Sequence, residues 1–171
     1  AGPAGVIAAE TIRKHAPNDT VTIVGDEPEA PYSRMAIPYL LMGNVGEEGT
    51  HLRHGKDHYA KLRIDVKRGV RAKSVDIAKK TVALDDGATL AYDRLLIATG
   101  SSPLFPPIAG VDLPGVAPLW SLAHTDRVLK HAASLRPAGR APRVVLVGAG
   151  FIGFIVLHAM HKRKWPLAVV E

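Results

Sequence analysis

Val144-Val145-Leu146-Val147-Gly148-Ala149-Gly150-Phe151-Ile152-Gly153 is the stretch that decides the fold. A short apolar run rich in β-branched residues meets G-x-G-x-x-G, and a helix-compatible segment follows. A second apolar strand, Leu167 to Val170, then ends on Glu171. Strand, three glycines, helix, strand and acid, in that order, are what a dinucleotide-binding βαβ unit requires. Gly148 lets the strand turn sharply. Gly150 has no side chain, so a pyrophosphate can approach the backbone; Phe151 and Ile152 fill the two variable positions after it. Gly153 lets the helix lie close to the strand. The helix N-terminus offers free N–H groups and a partial positive charge to phosphates. Glu171 stands about 20 residues on, where a carboxylate hydrogen-bonds ribose hydroxyls and repels a 2′-phosphate. The stretch points to NAD(H) before NADP(H).

Two plainer readings compete. One is a tight strand-to-helix turn with no ligand, which the glycines alone would allow. The other is a membrane span, since Val144 to Met160 runs about 17 residues without Lys, Arg, Asp or Glu. Three glycines interrupt that run at phosphate-loop spacing, and His158 lies near its end. A buried strand followed by a buried helix explains it better.

The remaining composition narrows the function classes. The chain has 171 residues, 47% of them hydrophobic, enough for a globular core in one domain or parts of two. Its net charge of +6 is scattered, with denser clusters only at Lys61 to Lys73 and His161 to Lys164. Aromatics make up 5% of the chain, so no stacking platform accompanies the basic residues and nucleic acid is not an expected partner. With no cysteine there is neither a disulfide framework nor a thiol redox centre. The start, Ala1-Gly2-Pro3-Ala4-Gly5, lacks the basic region of a secretory signal, so a soluble cytoplasmic protein is expected, without membrane partners.

That start also fits the last positions of a second G-x-G-x-x-G. Gly2, Pro3, Ala4 and Gly5 would be its tail, with the first glycine and its strand upstream of residue 1. Val6 to His15 reads as a helix with Arg13, Lys14 and His15 complementing its C-terminal dipole. Pro17 breaks it, and Val21 to Val24 is a short strand leading to Gly25-Asp26-Glu27. Turn, helix, strand and acid recur in order. Asp26 and Glu27 are both candidates for a ribose carboxylate, and the sequence does not choose between them. Taken alone, the partial motif has a plainer alternative, an amphipathic helix leading to a strand.

Pro31-Tyr32-Ser33-Arg34-Met35-Ala36-Ile37-Pro38-Tyr39, the two glycine motifs and Leu95-Leu96-Ile97-Ala98-Thr99-Gly100, in this order, resemble the FAD-dependent pyridine nucleotide-disulfide oxidoreductase family. The nearest types are ferredoxin, rubredoxin and nitrite reductase-like NAD(P)H oxidoreductases and the NADH oxidase/CoA-disulfide reductase branch. The resemblance spans essentially the whole chain. It implies an α/β fold: residues 1–110 as a Rossmann-like FAD-binding domain lacking its first strand, and residues 111–171 as the start of an inserted NAD-binding Rossmann domain. It implies backbone contact with the FAD adenine around Val70, an FAD site lined by Ala98, Thr99 and Gly100, and Arg34 on the flavin side. The cofactors implied are FAD and NAD(H), and the chemistry is hydride transfer from NADH to flavin and onward to an acceptor, a small redox protein or small molecule. A homodimeric parent is compatible with it. Val75 to Ile97, with a turn at Asp85-Asp86-Gly87, looks like the family's inserted antiparallel hairpin, leading into a strand at Leu95 to Ile97. Pro103 to Pro118 reads as an interdomain connection. Trp120 to Leu135 can form an amphipathic helix ended by Pro137-Ala138-Gly139.

The chain departs from the family at three places. Met35 stands where the CoA-disulfide reductase branch has its redox cysteine, so a thiol relay there is excluded. Tyr39 stands in place of the lysine of the ferredoxin reductase types. Ile155, beside Phe154, occupies a position that often carries Glu two residues after the third glycine. No catalytic residue is therefore assigned. As given, the chain is expected to be a fragment that binds FAD weakly or not at all by itself. A non-catalytic dinucleotide-binding or regulatory module is the alternative from another class. His51, His54 and His58 would share one face if helical, as a metal site requires. A solvated surface helix carrying Lys56 and Lys61 is preferred, and no metal is expected.

Overall fold

The computed structural model describes residues 1–55, 57–135 and 141–171. Lys56 and the expected helix stop at Pro137-Ala138-Gly139 lie outside the described residues. The chain divides into two compact units, residues 1–33 with 51–100, and residues 34–50 with 101–171.

In the first unit, α1 (Pro3–His15) leads to β1 (Val21–Gly25). Proline at the first turn starts α1, where a missing N–H is no loss, and Gly2 caps it in an extended conformation. Val6 and Ala9, three residues apart, share a face and are buried. They pack with Val21, Ile23 and Ile64 as the core of this unit. β1 pairs in parallel with β2 (Ile64–Arg68), in a register that sets Val21 beside Ile64 and Gly25 beside Arg68. Between them lies the short α3 (His58–Lys61). Then β3 (Ala72–Asp76), β4 (Thr81–Leu84) and β5 (Thr89–Ala91) form an antiparallel three-stranded sheet. The Asp85-Asp86-Gly87 turn joins β4 to β5, with Gly87 in the left-handed region it requires.

Arg13 behaves differently from a dipole-complementing surface charge. It is buried and donates to four carbonyls: Leu62 at 2.6 Å, Pro17 and Arg63 at 2.8 Å each, and Ala16 at 3.3 Å. Its guanidinium ties the end of α1 to the turn before β2. Arg63, one of the acceptors, holds a left-handed φ of 52°.

The second unit contains a 3₁₀ turn (Arg34–Ala36), α2 (Ile37–Met42), α4 (Leu122–Ser134), β6 (Val144–Val147), α5 (Phe151–Lys162) and β7 (Leu167–Val170). Ser121 caps α4 by accepting from the His124 N–H at 3.2 Å. β6 and β7 are parallel, with α5 connecting them. Leu41, Ala132, Val156, Ala159, Met160 and Trp165 form the core, with Val144, Leu146 and Leu167 packed on it. Arg163 donates to the Leu41 carbonyl and places its guanidinium 5.5 Å from the Trp165 ring centre, closing this core from one side.

Three expectations change. β6 is not a fully buried strand: Val145 is 64% and Val147 69% exposed. Strand side chains alternate, so Val144 and Leu146 take the core face. Val145 and Val147 lie opposite Ala168 and Val170 on the other face, which no described element of this unit covers. Phe151, Ile152 and Phe154 of α5 are likewise exposed. Leu95 to Ile97 is not a strand but irregular and exposed. A strand exists by its ladder of partners, and among the described residues none pairs with this run. The histidines do not share a helix. His51 makes a backbone bridge to Tyr32, His54 lies in irregular chain, and only His58 is helical, at the start of α3. No described helix is long and apolar enough to cross a membrane.

Candidate functional site

The second-unit motif turns on Gly148, whose φ of 98° disfavours any residue with a Cβ. Its N–H donates to the Val170 carbonyl at 2.8 Å, so the turn is bonded to the end of β7. Ala149 donates its N–H to the Glu171 carboxylate, which brings the expected ribose acid to the glycine turn. Gly153 sits on the first turn of α5, where an added Cβ would fall 2.3 Å from the Gly148 carbonyl oxygen. Packing forbids it. Gly150 is different. It is extended at φ −68°, and an added Cβ would meet nothing within 4 Å. Neither its backbone nor its protein neighbours require glycine there.

Gly2 repeats this pattern in the first unit. It caps α1 at φ −98°, and its missing Cβ also faces open space. Its carbonyl accepts from Val6 at 3.1 Å, opening the helix over Pro3, Ala4 and Gly5. A Cβ on Gly5 would lie 3.9 Å from that of Ala98, so Ala98 lies beside the first turn of α1, with Thr99 and Gly100 next in the chain. Gly25, at the end of β1, packs so tightly on Ala1 that a Cβ would fall 2.6 Å from the Ala1 nitrogen.

Asp26 and Glu27 follow Gly25, and the structure engages both. Asp26 pairs with Arg71, and the adjacent guanidinium holds its carboxyl below the usual range against the opposing effect of burial. Glu27 accepts from the Tyr32 hydroxyl. Val70 donates its N–H to the Gly25 carbonyl at 3.1 Å, and Gly69 donates to Glu27 at 3.0 Å. Thus Gly2, Gly5, Gly25, Asp26, Glu27, Val70 and Ala98 belong to one region of the first unit. The sequence offered no sign of Arg71, because it reaches Asp26 across 45 positions.

Arg34 lies in the second unit and is anchored. Its Nη1 donates to the Trp120 carbonyl at 2.9 Å, with the guanidinium 5.4 Å from the Trp120 ring centre. Met35 and Tyr39 are exposed near it in sequence. No group of three or more His, Cys, Asp or Glu could hold a metal among the described residues.

His58 belongs instead to an ionic cluster on Glu10. Its Nε2 is 2.8 Å from one carboxylate oxygen, and Arg53 contacts both oxygens, at 2.8 and 2.5 Å. Hydrogen bonding from Arg53 dominates and lowers the Glu10 pKa, with burial opposing it. A depressed carboxylate stabilises the fold above its unfolded pKa and ceases to as pH falls through the folded value. Glu10→Gln is therefore expected to cost about 1 kcal/mol at neutral pH. The difference from wild type should close on the acid side of the ordinary carboxylate range. Urea unfolding across that range checks this, and a pH-independent difference would assign the effect to packing.

Two glycines, each capping a helix in an extended conformation and each followed by a helix, a strand and an acid, define an α/β protein of dinucleotide-binding design. The family model for pyridine nucleotide-disulphide oxidoreductases matches residues 1–170, and the chain belongs to that family. It is 30% identical to the epsilon subunit of NADH-dependent phenylglyoxylate dehydrogenase from Aromatoleum evansii, over 98% of this chain and 38% of that protein. It is 31% identical to rhodocoxin reductase from Rhodococcus erythropolis, over 99% of this chain and 38% of that protein. The structure of an NAD-dependent persulfide reductase from A. fulgidus superposes with a TM-score of 0.88 at 30% identity, over 98% of this chain and 31% of that one. The chain thus spans well under half the length of these relatives.

Proposed function

We propose that the protein containing this chain is an FAD-dependent NADH oxidoreductase, with FAD held in the first unit and NAD(H) in the second. One observation carries the reading. Gly2 and Gly150 are glycines that neither backbone strain nor protein packing demands, each at the crest of a helix-opening turn. A bare crest suits a ligand that must touch the backbone, as a pyrophosphate does. The residues present therefore fit the two cofactors, and the names of the relatives support NADH as the reductant.

The chain's own residues would bind and orient. Gly148 to Gly153 present the N-terminal N–H groups of α5 to the NAD(H) pyrophosphate, and Glu171, already at this turn, would exchange its Ala149 contact for ribose hydroxyls. Gly2 to Gly5 present α1 to FAD, with Asp26 or Glu27 toward its ribose, the Val70 backbone toward its adenine, and Ala98 to Gly100 along its length. Bound FAD supplies a two-electron acceptor that can pass electrons on singly or in pairs. The onward acceptor is proposed as a small redox protein, the class suggested by the name of rhodocoxin reductase. The protein is proposed to work in the cytoplasm.

An absorbance spectrum of the intact protein, taken before and after anaerobic NADH, tests this. Flavin bands that bleach on NADH are expected. Bleaching by NADPH alone would overturn the role given to Glu171. No flavin after reconstitution with FAD would leave a non-catalytic dinucleotide-binding module.

A further inference from the structure

The Arg71 side chain reaches Asp26, the first acid after β1. Its Nη2 and Nε both converge on Asp26 Oδ2, at 2.9 and 3.2 Å, so it takes one side of the carboxylate. The backbone around Arg71 is fixed from two directions. Gly69 and Val70 donate to the carbonyls of Glu27 and Gly25, flanking Asp26. Arg71 itself donates its N–H to Asp85 Oδ1 at 2.9 Å and accepts from the Asp85 N–H at 2.9 Å. Residues 69–71 thus form a strap from the end of β1 to the β4–β5 turn, with one side chain directed back at Asp26.

The pair is a poor device for stability. Its side chains are 67% and 47% exposed, and ion pairs in that setting contribute little to folding. An aspartate at a strand end is otherwise free to sample several rotamers, each of which a ligand would have to select. A guanidinium held at a fixed backbone position removes that freedom before the ligand arrives. We propose that Arg71 is a positioning residue for the FAD half, holding Asp26 as a carboxylate that receives the adenosine ribose. The inference rests on the reading that the first unit holds FAD.

The test measures FAD affinity of the intact apoprotein, by flavin fluorescence, for wild type, Arg71→Ala, Arg71→Lys, Asp26→Asn and the Arg71→Ala/Asp26→Asn double variant. Arg71→Ala is expected to weaken FAD about three- to tenfold with an unchanged melting temperature, and Arg71→Lys to recover part of the loss. The double variant should be no weaker than Asp26→Asn alone, because Arg71 acts through that carboxylate. FMN, which lacks the adenosine, should bind wild type and Arg71→Ala equally. Additive losses, or an equal loss of FMN, would overturn the inference, as would an Arg71→Ala variant that binds FAD like wild type. Wild type that binds no FAD would bring down the underlying reading, and this inference with it.

Discussion

Gly150→Ala is expected to weaken NADH binding at least about tenfold, some 1.4 kcal/mol or more, while leaving the melting temperature where it was. At this position φ is −68°, and the new methyl group meets no protein atom within 4 Å. Alanine there is compatible with the free protein, and exposed substitutions of this kind stay within about 0.5 kcal/mol. The methyl group does occupy the crest over which a pyrophosphate must pass to reach the N-terminal N–H groups of α5. Gly153→Ala provides the contrast. Its Cβ would stand 2.3 Å from the Gly148 carbonyl oxygen, which is backbone and cannot swing aside like a side chain. Either α5 shifts or the Gly148 turn, already at φ 98° and bonded to Val170, deforms. Overpacking of this kind costs about 1–3 kcal/mol and should lower both stability and NADH affinity. Titration of NADH fluorescence and a thermal melt on both variants separate the two effects. Unchanged NADH affinity in Gly150→Ala would overturn the phosphate-loop assignment.

Arg13→Ala is expected to destabilise the first unit by about 3 kcal/mol, lowering its melting temperature by more than about 10 °C. The loss has two parts. Four carbonyls, those of Ala16, Pro17, Leu62 and Arg63, lose a charged donor inside the fold. The left-handed Arg63 turn also loses the contact that helps hold it. Lys14, next in sequence and exposed, serves as the control: Lys14→Ala should change stability by no more than about 0.5 kcal/mol. Equal effects at the two positions would show that Arg13 acts only on the helix dipole. Arg13→Lys should recover little, because one ammonium cannot reproduce a planar fork bonded to four acceptors.

The strand from Val144, the glycine turn, α5 and the strand to Val170 follow the sequence almost residue for residue. Each depends on neighbours within a few positions: β-branched residues in a strand, a left-handed glycine, a helix begun where the turn ends. The same holds for α1, β1 and the acids after Gly25. Leu95 to Ile97 shows the limit of that logic. Its composition is that of a strand, but a strand needs a partner, and none of the described strands pairs with it. The histidines fail for the opposite reason, since helical spacing means nothing until the helix exists, and here it begins only at His58.

From its sequence alone this chain is a two-motif dinucleotide-binding α/β protein, with its turns, its principal helices and its candidate acids at known positions. Tertiary structure decided the rest. It set Arg13 on four carbonyls, Arg71 on Asp26, Arg34 on Trp120, and His58 and Arg53 on Glu10. It also gathered residues 34–50 with 101–171 rather than with their sequence neighbours. Local elements obey the conformational preferences of adjacent residues, which a sequence displays directly. A long charged side chain instead takes whichever acceptor the fold brings within reach, from dozens of positions away, and no local pattern records that choice.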